Sequence, residues 1–245
     1  MEEYLVFRLY GAMASWGQAA VGGNRPTAVQ PSRSALIGLL AAALGIKRTQ
    51  EEQLQQLQAS IHLAVKQCVP SMLIRDYHTS QVPSSSKKIQ YRTRKQELSS
   101  DSLNTILSSR DYRCDGLWTV AISLKKHTYY TLQELANGLK NPVFSLYLGR
   151  KSCPLSIPLE PKLIKVQELK EALDFSFSPL LQSSTEDAMY LGKTGYVTYF
   201  WEGDKNALNN PSVVMLTRPW DEPLHRGRWQ FTQRDQYQCT IKEII

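Results

Sequence analysis

Cysteine is scarce in this 245-residue chain and poorly placed for holding a metal. Cys68, Cys114, Cys153 and Cys239 form no CxxC pair, and no histidine accompanies them at ligand spacing, which excludes a structural zinc site of the usual kind. In a reducing compartment they stay unpaired as well. Long apolar runs are also missing. The longest, ALIGLLAAALGI at 35–46, falls well short of the roughly 20 residues a spanning helix needs. The N-terminus, MEEYLVFRLYG, is acidic and then strand-like, unlike a signal sequence. A cytoplasmic protein with no membrane association is therefore expected. GxxxxGK[ST] is absent from the chain and GxGxxG from the glycine-rich segment 11–34, which removes the common nucleotide loops. No internal repeat of fixed period occurs.

Negative charge is short in one region. Residues 1–160 carry 19 Lys and Arg against 11 Asp and Glu, whereas residues 161–245 carry 10 against 11. The whole net charge of +7 thus lies in the first two thirds. A surplus of this kind points to a polyanionic partner and says nothing about fold. Hydrophobic residues make up 42% and charged residues 21%, the balance of an ordinary folded protein.

The order of elements is legible over the first 158 residues. YLVFRLYG alternates as a strand with Leu5, Phe7 and Leu9 on one face. SRSALIGLLAAALG predicts a helix capped by Ser32 or Ser34 and closed by Gly45 in the left-handed conformation. Leu36, Leu40 and Leu44 share its apolar face with Ile37 beside them, and Gly38 is expected to let it lie close against a sheet. TQEEQLQQLQAS predicts a second short helix with Leu54 and Leu57 inward. IHLAVKQCVP, SMLIRDYHTSQV and GLWTVAISL predict strands, and TLQELANGLK a helix with a Thr131–Glu134 capping box. PVFSLYLGRKSCPLSIP reads as a further strand ending in a basic turn. Two strand–helix–strand units in this order suggest an α+β, ferredoxin-like domain akin to RNA-recognition domains. Residues 159–245 read as a smaller β-rich C-terminal part, with strands in AMYLGKTGYVTYFWEG, SVVMLTRPW and YQCTIKEII.

Four segments are candidates for phosphate contact. Arg25 and Arg33 flank a Gly/Pro-rich loop feeding a helix N-terminus, where Ser34 and free N–H groups favour an anion; the same residues also suit a plain surface loop. In RDYHTS, Arg75 is a cation. His78 beside Tyr77 has the chemistry of an acid–base pair for metal-free RNA cleavage, or of a local hydrogen bond at a strand end. LGRKSCP places Arg150, Lys151 and Ser152 in a turn as a phosphate clamp, and Cys153 before proline is no evident nucleophile. SSSKKIQYRTRKQELSS brings Lys87, Lys88, Arg92, Arg94 and Lys95 together with no acid among them. Tyr91 there is a stacking candidate, as are Trp16 and Tyr77. With no hydrophobic period this stretch is expected to protrude, as a solvated loop or a gripping arm. His62, His127 and His225 have no motif around them.

The segments YLVFRLYGAMASWGQ, NRPT, PSRSALIGLLAAALGI, RDYHT, RDYRCDGLWTVAI and NPVFSLYLGRKSCPLSIPL resemble the CasD family in order and spacing over about residues 4–160. That family supplies the type I-E CRISPR Cascade subunit that holds the 5′ handle of the guide RNA (crRNA). The resemblance implies a RAMP protein, a ferredoxin-like domain at 1–158 with a thumb hairpin inserted at about 79–113. It implies as partners the crRNA 5′ handle, the backbone subunit CasC and the large subunit CasA, with target DNA met only indirectly. It implies a non-catalytic organiser without cofactor or metal, another subunit, CasE, cutting the precursor. Relatives in another branch cut RNA themselves, which leaves a metal-independent endoribonuclease with His78 as the alternative.

Overall fold

The computed structural model describes residues 1–20, 22–85, 90–193, 195–209, 213–228 and 230–242. In chain order the strands are β1 (Glu2–Ala14), β2 (Asn24–Arg25), β3 (Ile61–Gln67), β4 (Met72–Pro83), β5 (Leu103–Leu124), β6 (Lys162–Val166), β7 (Tyr196–Trp201), β8 (Met215–Thr217), β9 (Glu222–His225), β10 (Gln230–Thr232) and β11 (Gln236–Lys242). The helices are α1 (Arg33–Leu44), α2 (Glu51–Ser60), α3 (Arg94–Leu98), α4 (Leu132–Lys140), α5 (Leu169–Leu173) and α6 (Ser184–Tyr190). One mixed α/β sheet runs in the order β6-β1-β5-β3-β7-β11-β8, and β9 and β10 form a separate pair. Strands from both sides of residue 158 share that sheet.

Alternation along the strands sends side chains to two covered faces. Leu5, Phe7 and Leu9 of β1, Leu63 and Val65 of β3, and Trp118, Val120 and Ile122 of β5 meet α1, α2 and α4 in the larger core. Tyr4, Val6, Ala64 and Ala121 face the other way, under α5 and alongside Val197, Tyr199 and Trp201 of β7. β1 is therefore buried on both faces, and even Arg8 is only 6% exposed. Its guanidinium pairs with Glu160 at 2.7 Å.

The predicted caps form. Ser32 Oγ accepts from the Ala35 N–H at 3.3 Å, and Gly45 at φ 76° donates back to the carbonyls of Ala41 and Ala42. Thr131 and Glu134 complete their reciprocal box. Gly38 departs from expectation. It does not approach the sheet; a Cβ there would meet only Arg226 Nη1, at 3.8 Å. Residues 142–158 are not a strand. Pro142, Pro154 and Pro158 interrupt any ladder, and the segment folds back so that Leu148 N–H donates to the Cys153 carbonyl at 2.7 Å. Its buried side chains, Leu148 and Cys153, plug into the core from a loop, with Leu159 just beyond it. In AMYLGKTGYVTYFWEG, α6 takes the first part and β7 only Tyr196–Trp201. Among the described residues no helix is long and apolar enough to cross a membrane.

Candidate nucleic-acid interface

β5 is 22 residues long and serves two structures. Residues 116–124 sit in the sheet between β1 and β3. Residues 103–114 pair with β4 in an antiparallel ribbon, register Met72↔Cys114 to Pro83↔Leu103, which runs on past the last β1 pair, Ala14↔Arg113. From Met72 to Gln81 every residue of β4 is exposed. The ribbon thus spans 72–114 and begins earlier than the expected 79–113 projection. Near its far end lies α3, capped by Thr93. Arg92 and Lys95 are exposed there. Arg94 is tied back to Glu97 at 2.7 Å and to the Gln81 carbonyl. Tyr91 is half-buried. Lys87 and Lys88 lie outside the described residues.

At the ribbon's base Arg75 faces Asp111 in register and forks onto it, Nε–Oδ1 at 2.8 Å and Nη2–Oδ2 at 3.0 Å. That hydrogen-bonded guanidinium holds the Asp111 carboxyl below its ordinary range and raises Arg75 in turn. Arg75 is exposed, but Asp111 cancels much of its charge at a distance.

The basic turn reaches the same place because of one glycine. Gly149 has φ 83°, and a Cβ on it would fall 1.9 Å from the Ser15 carbonyl oxygen. Only glycine permits both the left-handed turn and the close approach. The Ser15 N–H then donates to the Leu148 carbonyl at 2.9 Å, docking the turn on the end of β1. Arg150 is delivered over the ring of Tyr112, 5.0 Å from its centroid. Its Nη2 donates to the Arg25 carbonyl at 3.4 Å, while its Nη1 is buried without a partner. Lys151 and Ser152 are exposed beside it. Cys153 points into the core, and burial pushes its thiol pKa up, opposite to what a nucleophile needs.

Arg25, Arg75, Arg150, Lys151 and Ser152 are thereby brought to one region. Arg25 and Arg110 stand opposite each other where β2 joins β5 in parallel. Arg110 is exposed. Among the described residues no carboxylate pairs with Arg25, Arg110, Arg150 or Lys151. Arg110 and Tyr112 were not singled out in the sequence; their signal is the alternation in SSRDYRC, masked by Asp111 between them. His78 is exposed on β4, 3.6 Å from Asp76. It lies four residues along the ribbon from the Ile74–Tyr112 pair, or about 14 Å.

Two expected contacts are corrected. The Arg33 side chain is 2% exposed, with Nη1 2.7 Å from Glu202 and Nε 2.6 Å from Glu222. It fastens α1 to the C-terminal strands and presents nothing to a phosphate. Trp16 is buried and packs edge-on against Trp118 at 5.2 Å, so it has no face for a base. Ser34 is half-buried, its hydroxyl 3.2 Å from Ser32 Oγ. It lines a groove along α1 together with Arg25. All four cysteines are free, and no group of three metal-ligating side chains converges among the described residues.

A continuous sheet carrying a basic ribbon and a docked basic turn agrees with what the comparisons find. The sequence pattern of the CRISPR-associated protein family Cas5 matches residues 4–236, and the chain belongs to that family. Within it, the chain is similar to the CRISPR system Cascade subunit CasD of Escherichia coli K12. The two are 40% identical over 168 residues, 65% of this chain and 70% of that protein. The fold is shared with a chain of a solved CRISPR RNA-guided surveillance complex, at TM-score 0.65 and 24% identity over 98% of this chain and 90% of that one. A solved Cas protein matches at TM-score 0.63 and 24% identity, over 98% and 95%.

Proposed function

We propose that this chain is a non-catalytic subunit of a type I-E CRISPR Cascade surveillance complex. It holds the 5′ handle of crRNA, caps the backbone of CasC subunits and adjoins CasA, in the cytoplasm, leaving target choice to base pairing. The observation that carries this reading is the junction of the ribbon base with the LGRKSCP turn. There Arg25, Arg110, Arg150 and Lys151 converge with no carboxylate paired to them among the described residues, in a chain 40% identical to a Cascade subunit over 168 residues. The order β6-β1-β5-β3, all antiparallel, supports a ferredoxin-like RAMP domain whose fourth strand, β6, lies just past the expected boundary at residue 158. The β4–β5 ribbon supports a thumb, and residues 159–245 extend the sheet as the β-rich C-terminal part. Phosphate contacts of this kind position a strand and carry no sequence information. Reading the handle falls to unstacked bases on exposed aromatics such as Tyr77.

The test is to mix purified protein in excess with end-labelled CRISPR repeat RNA in EDTA and to run native and denaturing gels of one sample. A shifted but intact RNA is expected. A single discrete cut would instead assign metal-independent ribonuclease chemistry, and His78→Ala would then have to abolish it. Absence of any shift would remove RNA from the account.

A further inference from the structure

A groove of about 1010 Å³ runs along α1, at the top of the range of about 300–1,000 Å³ usual for small-ligand sites. Its floor is made of small residues, Ser34, Ala35, Gly38 and Ala42. Gly38, which makes no close sheet contact, keeps this floor low under the Arg226 guanidinium. Aromatic rings enter the groove from two segments, Phe144 and Tyr147 from one, Trp220 and Phe231 from the other. Trp220 is 58% exposed. Arg25, Lys47, Arg48 and Arg226 line the same space, and among the described residues no Asp or Glu does.

Arg226 is the best-held of these cations. Its Nη2 donates to the Ser34 carbonyl at 3.1 Å, and its own carbonyl accepts from Arg48 Nη2 at 2.8 Å. Two carboxylates stand near it without pairing with its guanidinium: Glu51 accepts the Arg226 backbone N–H at 3.4 Å, and Glu222 pairs with Arg33. Burial, and then the positive charge of Arg48, both weaken the hold of Arg226 on its proton, and its Nε is buried without a partner. A half-buried guanidinium with the positive charge of Arg48 close by favours an anion. Rings next to cations on a floor of small residues are how proteins hold single-stranded nucleic acid, stacking bases while gripping phosphates.

The groove is continuous with the proposed RNA site. Tyr147 and Gly149 of the basic turn line it, and Arg25, also in its lining, accepts from Arg150. A strand lying on Arg150 and Lys151 therefore meets the groove mouth. We infer that the groove extends the RNA path beyond the turn, taking a further single-stranded stretch with phosphates on Arg48 and Arg226 and an unstacked base on Trp220. This rests on the RNA-binding reading and adds to it a second, separable contact region in which stacking selects for the presence of nucleotides more than for their identity.

The test uses the full chain and end-labelled CRISPR repeat RNA, with Trp220→Ala and Lys47→Glu as variants at exposed positions and Arg150→Ala as the turn control. Nuclease protection and affinity are measured. Each groove variant is expected to lose protection over a contiguous stretch at one end of the footprint. Trp220→Ala should weaken binding by roughly tenfold. RNA trimmed of that stretch should bind wild type and Trp220→Ala equally, the coupling that marks a direct contact. An unchanged footprint and affinity in both groove variants, with Arg150→Ala still weakened, would overturn the groove and leave the RNA reading standing. Failure of the wild type to bind RNA would overturn both.

Discussion

The Arg33 guanidinium lies inside the protein between Glu202 and Glu222, and Arg234 also reaches Glu202 and forks onto Asp221. Removing one member of such a cluster leaves buried charge without compensation. Arg33→Met should therefore cost about 3–5 kcal/mol in urea unfolding, and a loss below about 1 kcal/mol would show the cluster to be solvated. Arg150 is held differently, by a ring and a carbonyl, with no carboxylate paired to it among the described residues. Arg150→Ala should leave the unfolding midpoint nearly unchanged and weaken RNA binding by roughly tenfold or more, the worth of one charge-assisted hydrogen bond to phosphate. The reverse pattern, stability lost and affinity kept, would make Arg150 a structural residue. The sequence named both as phosphate contacts, and for Arg33 that reading failed. Arg33 opens α1 and Arg150 stands in a basic turn, and only Glu202 and Glu222, far along the chain, bury the first.

α5 is a five-residue helix that cannot be stable alone. Asp174, just beyond it, ties it to the sheet. The carboxylate accepts from Lys66 Nζ of β3 at 2.8 Å and from Tyr199 Oη of β7 at 2.7 Å, and it also pairs with Lys170. Burial pushes the Asp174 carboxyl up, but the bonds from Lys170, Lys66 and Tyr199 outweigh it, so its pKa is lowered. A lowered folded value means that the stabilisation is complete above the unfolded pKa, about 3.9, and is lost as pH falls through the folded one. The stability gap between wild type and Asp174→Asn should hold from neutral pH to about pH 5 and close below about pH 4. A gap that persists unchanged in acid would show that the carboxylate's charge contributes nothing. At this scale the sequence was most informative where local signals agree. The α1 and α4 caps and the alternation of β1 each have a near-neighbour cause. It misled at 142–158, where alternating leucines looked like a strand although the burial comes from a loop folded onto Ser15. It was silent on the ribbon's length, because the β4–β5 register is a long-range pairing and the exposed residues of β4 carry no apolar period.

Across the whole molecule one sheet joins β6, from just beyond residue 158, to β7, β11 and β8 on the opposite side. β7 pairs with β3 directly, and the second core draws on β1, β3, β5, α5 and β7 together. Unfolding should therefore be a single cooperative transition, and a chain ending at residue 160 should fail to fold. Two separable calorimetric transitions would contradict that. The uneven charge of the sequence takes on meaning at this scale, because the fold brings Arg25, Arg110, Arg150 and Lys151, all from its first two thirds, to the ribbon base. The most direct test of that claim is the salt dependence of binding to CRISPR repeat RNA, for the wild type and for a variant with Arg110, Arg150 and Lys151 replaced by alanine. With each phosphate contact worth a slope of about −0.7 on a single strand, the wild type should show a log–log slope of about −3 or steeper. The triple variant should be flatter by about 2. Equal slopes would place the RNA elsewhere on the protein and contradict the account.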